Sequence, residues 1–254
     1  MNIKILVATH KSYEMPKDTN LYLPILVGKD LHPDVNHVFQ GDNTGDNISK
    51  KNGSYNELTA LYWAWKNLDA DAIGLVHYRR YFGMKNSKSI DDILTKEQTE
   101  KLLSQADVIV PKKRHYWIET NYSHYVHAHP KISLDLARQV ISQKYPAYLE
   151  AFDVNMKKTS AHIFNMFIMQ DKDFQKYCTW VFDVLSEIEK QLDTTGYSKY
   201  QSRVYGFVSE RLLDVWLETN KKSIVEEPVI FLENQHWTKK IVSFIVRKFG
   251  GKQQ

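Results

Sequence analysis

The chain has 254 residues, 43% of them hydrophobic and 25% charged, which is enough apolar material for one large α/β domain with a buried core. Its single cysteine, Cys178, excludes an internal disulfide bridge and a cysteine-based zinc cluster. The net charge of +4 comes from residues 239–254, which carry five cations and no acid, so the remainder is nearly neutral (4 − 5 = −1) and a broad nucleic-acid-binding surface is not expected.

The N-terminal segment predicts a buried strand and no targeting signal. Its apolar run, residues 3–8, is too short for a signal peptide, and no segment approaches the roughly 20 apolar residues of a membrane span. We therefore expect a cytoplasmic protein. The first strand, residues 3–9, ends in Thr9, His10 and Lys11, and a second strand is expected at residues 22–27.

A polar loop, GDNTGDNISKKNG, occupies residues 41–53. Its Asp42, Asn43, Asp46 and Asn47 have the side chains that coordinate a hard cation, but the glutamate of a calcium loop is missing. Asx-turns that shape the loop explain the same composition. Thirteen polar residues are long for a simple connection, which favours a binding loop.

The next unit is predicted to be a helix followed by a fully apolar strand at residues 72–76. Ser54 and Glu57 have the spacing of a capping box, and apolar residues recur after them at helical spacing. Asp69 and Asp71 form an Asp-x-Asp pair, but they precede the strand. They therefore lie at the edge of the sheet opposite the ligand crevice, and we interpret them as turn residues rather than a metal clamp.

That strand carries His77, Tyr78, Arg79 and Arg80 at its carboxyl end. In an open α/β sheet, ligands bind beyond the carboxyl ends of the strands. Two consecutive arginines in an extended segment point to opposite sides, so at least one can face the crevice, where a guanidinium suits bidentate contact with a diphosphate. The competing interpretation pairs both arginines with local carboxylates at a solvated edge.

The rest of the chain continues to alternate helices with strands, which indicates an α/β fold with a mostly parallel sheet. Thr95 and Gln98 predict the capped start of a helix. Strands are expected at residues 107–110 and 163–169, and a basic, aromatic segment follows the first of them. The other predicted helices cover residues 134–143, 145–152 and 173–192, and a further one carries Ser209, Glu210 and Arg211.

Glu210 is the candidate catalytic residue. It precedes Arg211 near a helix start, where a carboxylate can act as the general base that removes the proton of an acceptor hydroxyl. The alternative is that Glu210 compensates the helix dipole or pairs with Arg203 or Arg211.

The stretch at residues 237–249 predicts a basic amphipathic helix. Trp237 and other apolar side chains cover one side, and Lys239, Lys240 and Arg247 lie on the other. This pattern is typical of a helix that binds an anionic membrane surface, and the alternative is a terminal helix packed on the domain. We therefore divide the chain into a catalytic domain at residues 1–233 and a membrane-associating tail at residues 234–254.

Six segments together resemble one protein family. They are GDNTGDNIS, ELTALYWAWKN, GLVHYRRYF, PKKRHYWIE, NMFIM and SRVYGFVSERLLDVW, and they span roughly residues 3–220. On these segments the chain resembles the bacterial capsular and exopolysaccharide glycosyltransferase family catalogued as domain of unknown function 4422.

The resemblance implies a GT-A-like nucleotide-sugar transferase fold, which the amphipathic helix predicted above would follow at the C-terminus. It implies a hexosyltransferase that uses a UDP-sugar, such as UDP-galactose in pyranose or furanose form, and a lipid-linked saccharide acceptor. The enzyme would act in capsule or exopolysaccharide biosynthesis, peripherally at the inner face of the cell membrane. The residues expected to bind the donor are Thr9, His10, Lys11, Asp42, Asn43, Asp46, Asn47, His77, Tyr78, Arg79 and Arg80. Those expected on the acceptor side are Asn165, Met166, Arg203 and Arg211.

The chain departs from related folds at the position of the metal clamp. In GT-A-like folds an Asp-x-Asp pair normally ends the strand that here ends in His77-Tyr78-Arg79-Arg80. This favours cationic side chains in place of a metal-bridged diphosphate, so no cofactor and no metal ligand are assigned, and a requirement for Mn²⁺ or Mg²⁺ is left open. The rival function is a non-catalytic carbohydrate-binding or scaffold domain of a polysaccharide assembly machinery.

Overall fold

The computed structural model describes residues 1–34 and 38–233. Its strands are β1 Ile3–Thr9, β2 Tyr22–Leu26, β3 Gln40–Gly41, β4 Ala72–His77, β5 Arg80–Phe82, β6 Val108–Pro111, β7 Arg114–His115, β8 Ser160–Ala161, β9 Phe167–Gln170, β10 Ile224–Glu227 and β11 Val229–Phe231. Its α-helices are α1 Asn52–Tyr55, α2 Leu58–Asn67, α3 Lys96–Leu103, α4 Asn121–Val126, α5 Lys131–Lys144, α6 Leu149–Lys157, α7 Asp171–Gln191, α8 Val204–Ser209 and α9 Leu213–Thr219.

The central sheet confirms the predicted α/β class. Its strand order is β10-β6-β9-β4-β1-β2-β3, and neighbouring strands are parallel except that β9 runs antiparallel to both β4 and β6. Strands β5 and β11 extend the sheet beside β4, while β7 and β8 form a separate two-stranded ribbon. As a result, the carboxyl ends of β1, β2, β3 and β4 share one edge of the sheet with the amino end of β9.

Apolar side chains cover both faces of this sheet. Along β1, Leu6 and Ala8 belong to one core cluster, whereas Ile5 and Val7 belong to a second cluster on the opposite face. The two-residue repeat of a strand produces this alternation, and burial on both faces is usual for parallel strands. Helices α2, α5, α7, α8 and α9 contribute to the first cluster, and α3 contributes to the second. The site loops therefore extend from a sheet that is fixed on both sides.

Two helix starts with the same sequence signature have different structures. At Thr95 the predicted capping box is confirmed, because the Thr95 hydroxyl accepts from the Gln98 backbone and the Gln98 side chain accepts in return. The capping box predicted at Ser54 and Glu57 is wrong. Ser54 lies within the short helix α1, and Asn56, with a φ of 51°, breaks the chain between α1 and α2. Glu57 occupies the N-cap position of α2, but its side chain makes no capping hydrogen bond.

The prediction for residues 163–169 also needs correction, because β9 begins only at Phe167. Phe164 and Asn165 have φ values of 77° and 53°, a left-handed conformation that cannot belong to a strand. Two consecutive non-glycine residues of this kind indicate local strain, which is most often found at functional sites.

The predicted tail, with its amphipathic helix at residues 237–249, lies outside the described residues. The division of the chain at residue 233 therefore stays a prediction. Among the helices within the described ranges, none is long and apolar enough to cross a membrane.

Candidate active site

The candidate site lies at the sheet edge where β1 and β4 end and β9 begins. Strands β1 and β4 pair in register up to Ala8 and His77, so the residues that follow them, including His10 and Tyr78, emerge side by side. Their rings make an edge-to-face contact, with centroids 5.3 Å apart. The antiparallel strand β9 brings Asn165 to the same edge. We call this region the carboxyl-edge site.

Asn165 anchors the strained turn to two helices. Its Nδ2 donates to Glu57 Oε1 at 2.7 Å and to the carbonyl oxygen of Gly206 at 3.1 Å, and the side chain is almost fully buried. A Cβ at Gly206 would lie 2.4 Å from Nδ2 of Asn56, so a larger residue there would displace the Asn56 side chain. Met166, by contrast, has its side chain fully buried in the core.

His77 is a neutral member of the site. Its Nε2 lies 2.7 Å from the carbonyl oxygen of Phe164, which accepts, so this nitrogen carries the proton. Burial, followed by the charge of Arg80, lowers the pKa of His77 to about 4 from its ordinary 6.5. His77 therefore holds the strained turn through one hydrogen bond and adds no charge near pH 7.

Arg80 is a positively charged residue of the site, and it forms no ion pair with any residue in the described part of the chain. Its guanidinium lies over the ring of Phe164, 4.5 Å from the centroid, and its buried Nε has no hydrogen-bond partner. Burial and the neighbouring charge of Arg79 lower the pKa of Arg80, while the carboxylates of Glu210 and Glu57 oppose that shift. A buried hydrogen-bond donor of a charged group that lacks a partner lowers the stability of the protein, and a bound anion would remove that cost.

Glu57 is a site residue that the sequence analysis assigned to the wrong role. It is half-buried, it accepts from Asn165, and burial raises its pKa. The spacing of Ser54 and Glu57 matches a capping box, so the sequence does not indicate that Glu57 belongs to the site. Its position is revealed by its contact with Asn165, whose strained turn lies beside the start of α2 only in the tertiary structure.

Glu210 caps the carboxyl end of α8, so the prediction that it lies near a helix start is wrong. Burial raises its pKa, and the nearby carboxylate of Glu57 adds to the rise, while the charges of Arg211, Arg80 and Arg114 oppose it. Neither Arg203 nor Arg211 forms an ion pair with Glu210 among the described residues. Arg211 is buried and donates to the hydroxyl of Tyr116 at 2.9 Å, and Arg203 donates to Asn56 at 2.9 Å. The ion-pair alternative for Glu210 is therefore not what the geometry shows.

Further cations gather around Tyr78. Lys11 Nζ lies 5.4 Å from the centroid of its ring, and the guanidinium of Arg79 lies 4.8 Å from it. Arg79 is half-exposed and pairs with Glu233 at 2.7 Å. The pKa of His10 is lowered by burial and then by Lys11, Arg79 and Arg203. The positive charge concentrated here is suited to an anionic ligand.

Thr9 and the polar loop have mainly structural contacts. The Thr9 hydroxyl is buried and donates to the carbonyl oxygen of Lys11 at 2.7 Å. Asp42 is fully buried and accepts from the backbone of Gly28 and Lys29 and from Ser49. Such contacts shape the loop and leave the Asp42 carboxylate without free access to a ligand.

The other three loop residues predicted to bind the donor also form hydrogen bonds within the protein. Asn43 donates to Asp30 at 2.9 Å, Asp46 accepts from Tyr62 at 3.3 Å, and Asn47 accepts from the backbone of Ser49 at 3.1 Å. The loop itself follows β3 and therefore stands at the carboxyl edge, beside the site.

The residues at the end of β4 do not fit a divalent metal. His77 is held by Phe164, and the two side chains that follow Tyr78 are guanidinium cations, which repel a metal ion. Asp69 and Asp71 belong to the opposite edge, where Asp71 accepts from the backbone of Asn2 at 2.6 Å. Across residues 1–34 and 38–233, no group of three or more His, Cys, Asp or Glu could hold a metal ion. We derive no step through a metal.

No curated protein sequence matches this chain. A solved structure described as the apo structure of WbbM, a bifunctional glycosyltransferase, superposes with a TM-score of 0.84 at 28% sequence identity. The match covers 92% of this chain and 46% of WbbM, so the chain spans about half the length of that protein. The model of one family, described as Domain of unknown function (DUF4422), matches residues 4–221. The chain therefore belongs to the DUF4422 family.

Proposed function

We propose that this protein is a glycosyltransferase that takes its sugar from a nucleotide-sugar donor. One observation carries the proposal: the unpaired guanidinium of Arg80 lies at the ligand edge of the sheet beside two half-buried carboxylates, Glu57 and Glu210. Sugar transfer from a diphosphate needs an anion-binding group and a proton-accepting group close together. The likeness to WbbM, a bifunctional glycosyltransferase, supports the same reaction class.

In this proposal the cations bind and stabilise the donor diphosphate. The positive charges lie at the ends of β1 and β4, beside His10 and Tyr78. They are the planar guanidinium groups of Arg79 and Arg80 and the ammonium group of Lys11. As the bond between the anomeric carbon and the phosphate oxygen breaks, the electron pair stays on the diphosphate, and its added charge strengthens each of these contacts. The side chains thus take the part that a metal ion has in clamped sites.

Glu210 is the proposed general base. The acceptor hydroxyl oxygen forms the new bond to the anomeric carbon, and its proton passes to the Glu210 carboxylate. Burial raises the pKa of Glu210, which makes it a better proton acceptor than an exposed carboxylate. Glu57 is bound to Asn165 and raises the pKa of Glu210 further, so we assign it a positioning and tuning role.

The finer assignments extend this proposal. We propose that the donor is a UDP-hexose, for example UDP-galactose, and that the acceptor is a lipid-linked saccharide in capsule or exopolysaccharide biosynthesis. Asn165, Arg203 and Arg211 would line the acceptor side. Residues 237–249 would hold the domain at an anionic membrane surface. The resemblance of the sequence segments to the capsular family supports the donor and acceptor, and the basic amphipathic pattern of residues 237–249 supports the membrane role.

The test is incubation of the purified full-length chain with a panel of nucleotide sugars, with and without a chelator. We expect one UDP-sugar to be hydrolysed, or transferred to an added acceptor, with the chelator having little effect. Absence of turnover with every donor, at retained folding, would contradict the proposal.

A non-catalytic carbohydrate-binding domain is the second candidate. It is favoured by a stack of partly exposed rings near the site. The centroid of the His129 ring lies 4.0 Å from that of Phe207 and 5.6 Å from that of Tyr200. Flat rings of this kind suit the face of a sugar. Saccharide binding without any donor turnover would support this candidate over the enzyme.

A further inference from the structure

The segment at residues 112–118 forms a prominent exposed tip that the proposed chemistry does not use. Trp117 is 86% exposed and Ile118 is 74% exposed, and they are the only two consecutive large apolar residues this exposed in the described part of the chain. Single exposed apolar residues are normal on a protein surface, whereas contiguous exposed apolar surface, of which this adjacent pair is the clearest case here, is typical of interaction sites. We call residues 112–118 the basic tip.

The backbone holds Trp117 away from the core. The Ile118 amide donates to the carbonyl oxygen of Tyr116 at 2.8 Å, and Trp117 between them has a φ of 61°. This is the form of γ-turn that has a positive φ at its central residue, and it is rare and strained for a residue other than glycine. The strain is maintained although it exposes a large indole, which indicates that the exposure serves a purpose.

The base of the tip is rigid. The Tyr116 amide donates to the carbonyl oxygen of Thr159 at 2.8 Å, and its hydroxyl accepts from Arg211 at 2.9 Å. Strands β7 and β8 pair Arg114 with Ala161 directly beside it. Trp117 and Ile118 therefore project from a braced support, and an apolar contact made by them would transmit a fixed orientation to the domain.

The charge of the tip is positive. Lys112, Lys113 and Arg114 contribute three cations, and residues 112–118 contain no acid. Lys112 and Arg114 are exposed, and the imidazole of His115 lies 6.4 Å from the indole of Trp117. Glu119, the first acid after the tip, is buried and bonded to His127, so it does not neutralise this surface.

The tip adjoins the carboxyl-edge site. Arg114 is one of the cations whose charge reaches Glu210, and Tyr116 is bonded to Arg211, the residue next to Glu210. Whatever the tip binds is consequently held close to the acceptor side of the site.

We propose that the basic tip inserts Trp117 and Ile118 into the interface of an anionic lipid bilayer. Tryptophan favours the boundary between headgroups and acyl chains, isoleucine favours the acyl side, and cations beside them attract anionic headgroups. Isoleucine adds nothing to stacking on a sugar, so the pair fits a lipid surface better than a saccharide. The inference rests on the proposed function in one respect: a lipid-linked acceptor requires the site to face the membrane.

The first experiment measures binding of the full-length chain to vesicles of phosphatidylcholine and phosphatidylglycerol. Replacing both apolar residues, as Trp117→Ser with Ile118→Ser, should weaken binding about tenfold or more, from the lost apolar burial. The matched control is Ile132→Ser with Val154→Ser, two exposed apolar residues on α5 and α6, which should bind as wild type. Equal binding by the tip variant and the wild type would overturn the proposal.

A second measurement reports insertion directly, and the comparison of wild type with Trp117→Phe cancels any quenching of Trp237 in the tail. Vesicles with brominated acyl chains should quench part of the tryptophan fluorescence of the wild type, and Trp117→Phe should remove that part. Identical quenching in both proteins would also overturn the proposal.

Measuring donor hydrolysis in the same variants distinguishes a failure of this proposal from a failure of the proposed function. The tip variant should hydrolyse the donor at the wild-type rate, since neither residue belongs to the catalytic machinery. Should it instead bind vesicles normally and lose transfer to a short soluble saccharide, the tip is a carbohydrate subsite and the membrane proposal is wrong. If donor turnover is absent in the wild type while insertion is observed, only the proposed function fails.

Discussion

The two ends of β4 differ in how completely their charged groups are satisfied. At the amino end, Asp71 accepts from the backbone of Asn2, and its own carbonyl oxygen accepts from Asp171, so the turn is closed by short contacts. At the carboxyl end, Arg80 has an unpartnered Nε, and the described residues offer it no ion pair. Both ends are rich in charge, but only the second leaves a buried hydrogen-bond donor of a charged side chain without a partner.

This difference shows how to separate structural from ligand-binding charges. The acidic pair has the spacing of a metal clamp, yet it fastens the N-terminus to the sheet, because the Asp71 carboxylate accepts from the Asn2 backbone and the Asp69 backbone carbonyl accepts from the Asn2 side chain. The cationic end surrounds itself with further cations, whose mutual repulsion lowers the pKa of both His10 and His77 in addition to the effect of burial. Repulsion of this kind destabilises the free protein and is relieved when an anion binds.

The largest effect is expected from Glu210→Gln at the carboxyl end. Removing the general base should lower kcat by about 10² to 10⁴ and leave donor affinity nearly unchanged. Glu57→Gln is the matched control, because a glutamine there can still accept from Asn165, and its loss should be smaller. Steady-state kinetics together with donor titration measure both quantities. A wild-type rate for Glu210→Gln would mean that the base lies elsewhere.

The next prediction concerns stability at acid pH and depends on His77. Its folded-state pKa, about 4, lies below the unfolded value of 6.5, so the unfolded chain binds the extra proton first. Stability is therefore lost as the pH falls from about 6.5 towards 4, by an amount on the order of 3 kcal/mol. Urea unfolding of wild type and His77→Gln across this window should show that the variant lacks this loss. Parallel pH curves for the two proteins would contradict the assignment.

Donor affinity should depend on Arg80 more than on Arg79. Arg80→Ala removes a charge-assisted contact of about 1.5 to 3 kcal/mol, a loss of roughly tenfold to a hundredfold. Arg79 is half-exposed and already paired with Glu233, so Arg79→Ala should cost less. Arg138→Ala, at an exposed ion pair with Asp153, serves as the control. The diphosphate assignment does not survive if both site variants bind the donor as the wild type does.

The smallest effect is expected at the amino end. Changing Asp69 and Asp71 together to asparagine should leave turnover almost intact and reduce the free energy of unfolding by about 1 kcal/mol, the size of a lost hydrogen bond. Adding a chelator should likewise change little. Complete loss of activity in a variant that remains folded would restore the pair as a metal clamp and remove the contrast between the two ends.

Local sequence pattern determined the elements whose contacts are local. The apolar run of β1, the capping box at Thr95 and the run that becomes β4 were all predicted, because a short-range pattern decides each of them. The placement of His77 to Arg80 at the ligand edge also followed, since in a parallel sheet the carboxyl end of every strand faces the same side.

Tertiary structure alone decided which of the charged residues meet. Glu57 and Asn165 are separated by more than a hundred residues, and the antiparallel strand β9 with its left-handed turn brings them to 2.7 Å. A capping signature at Ser54 gave no hint of this, because a local pattern contains no information on a partner so far along the chain. The same holds for Trp117, whose exposure depends on a strained turn braced by Thr159 and Arg211. Residue types fixed the elements, and long-range packing fixed which of their side chains are left to bind a ligand.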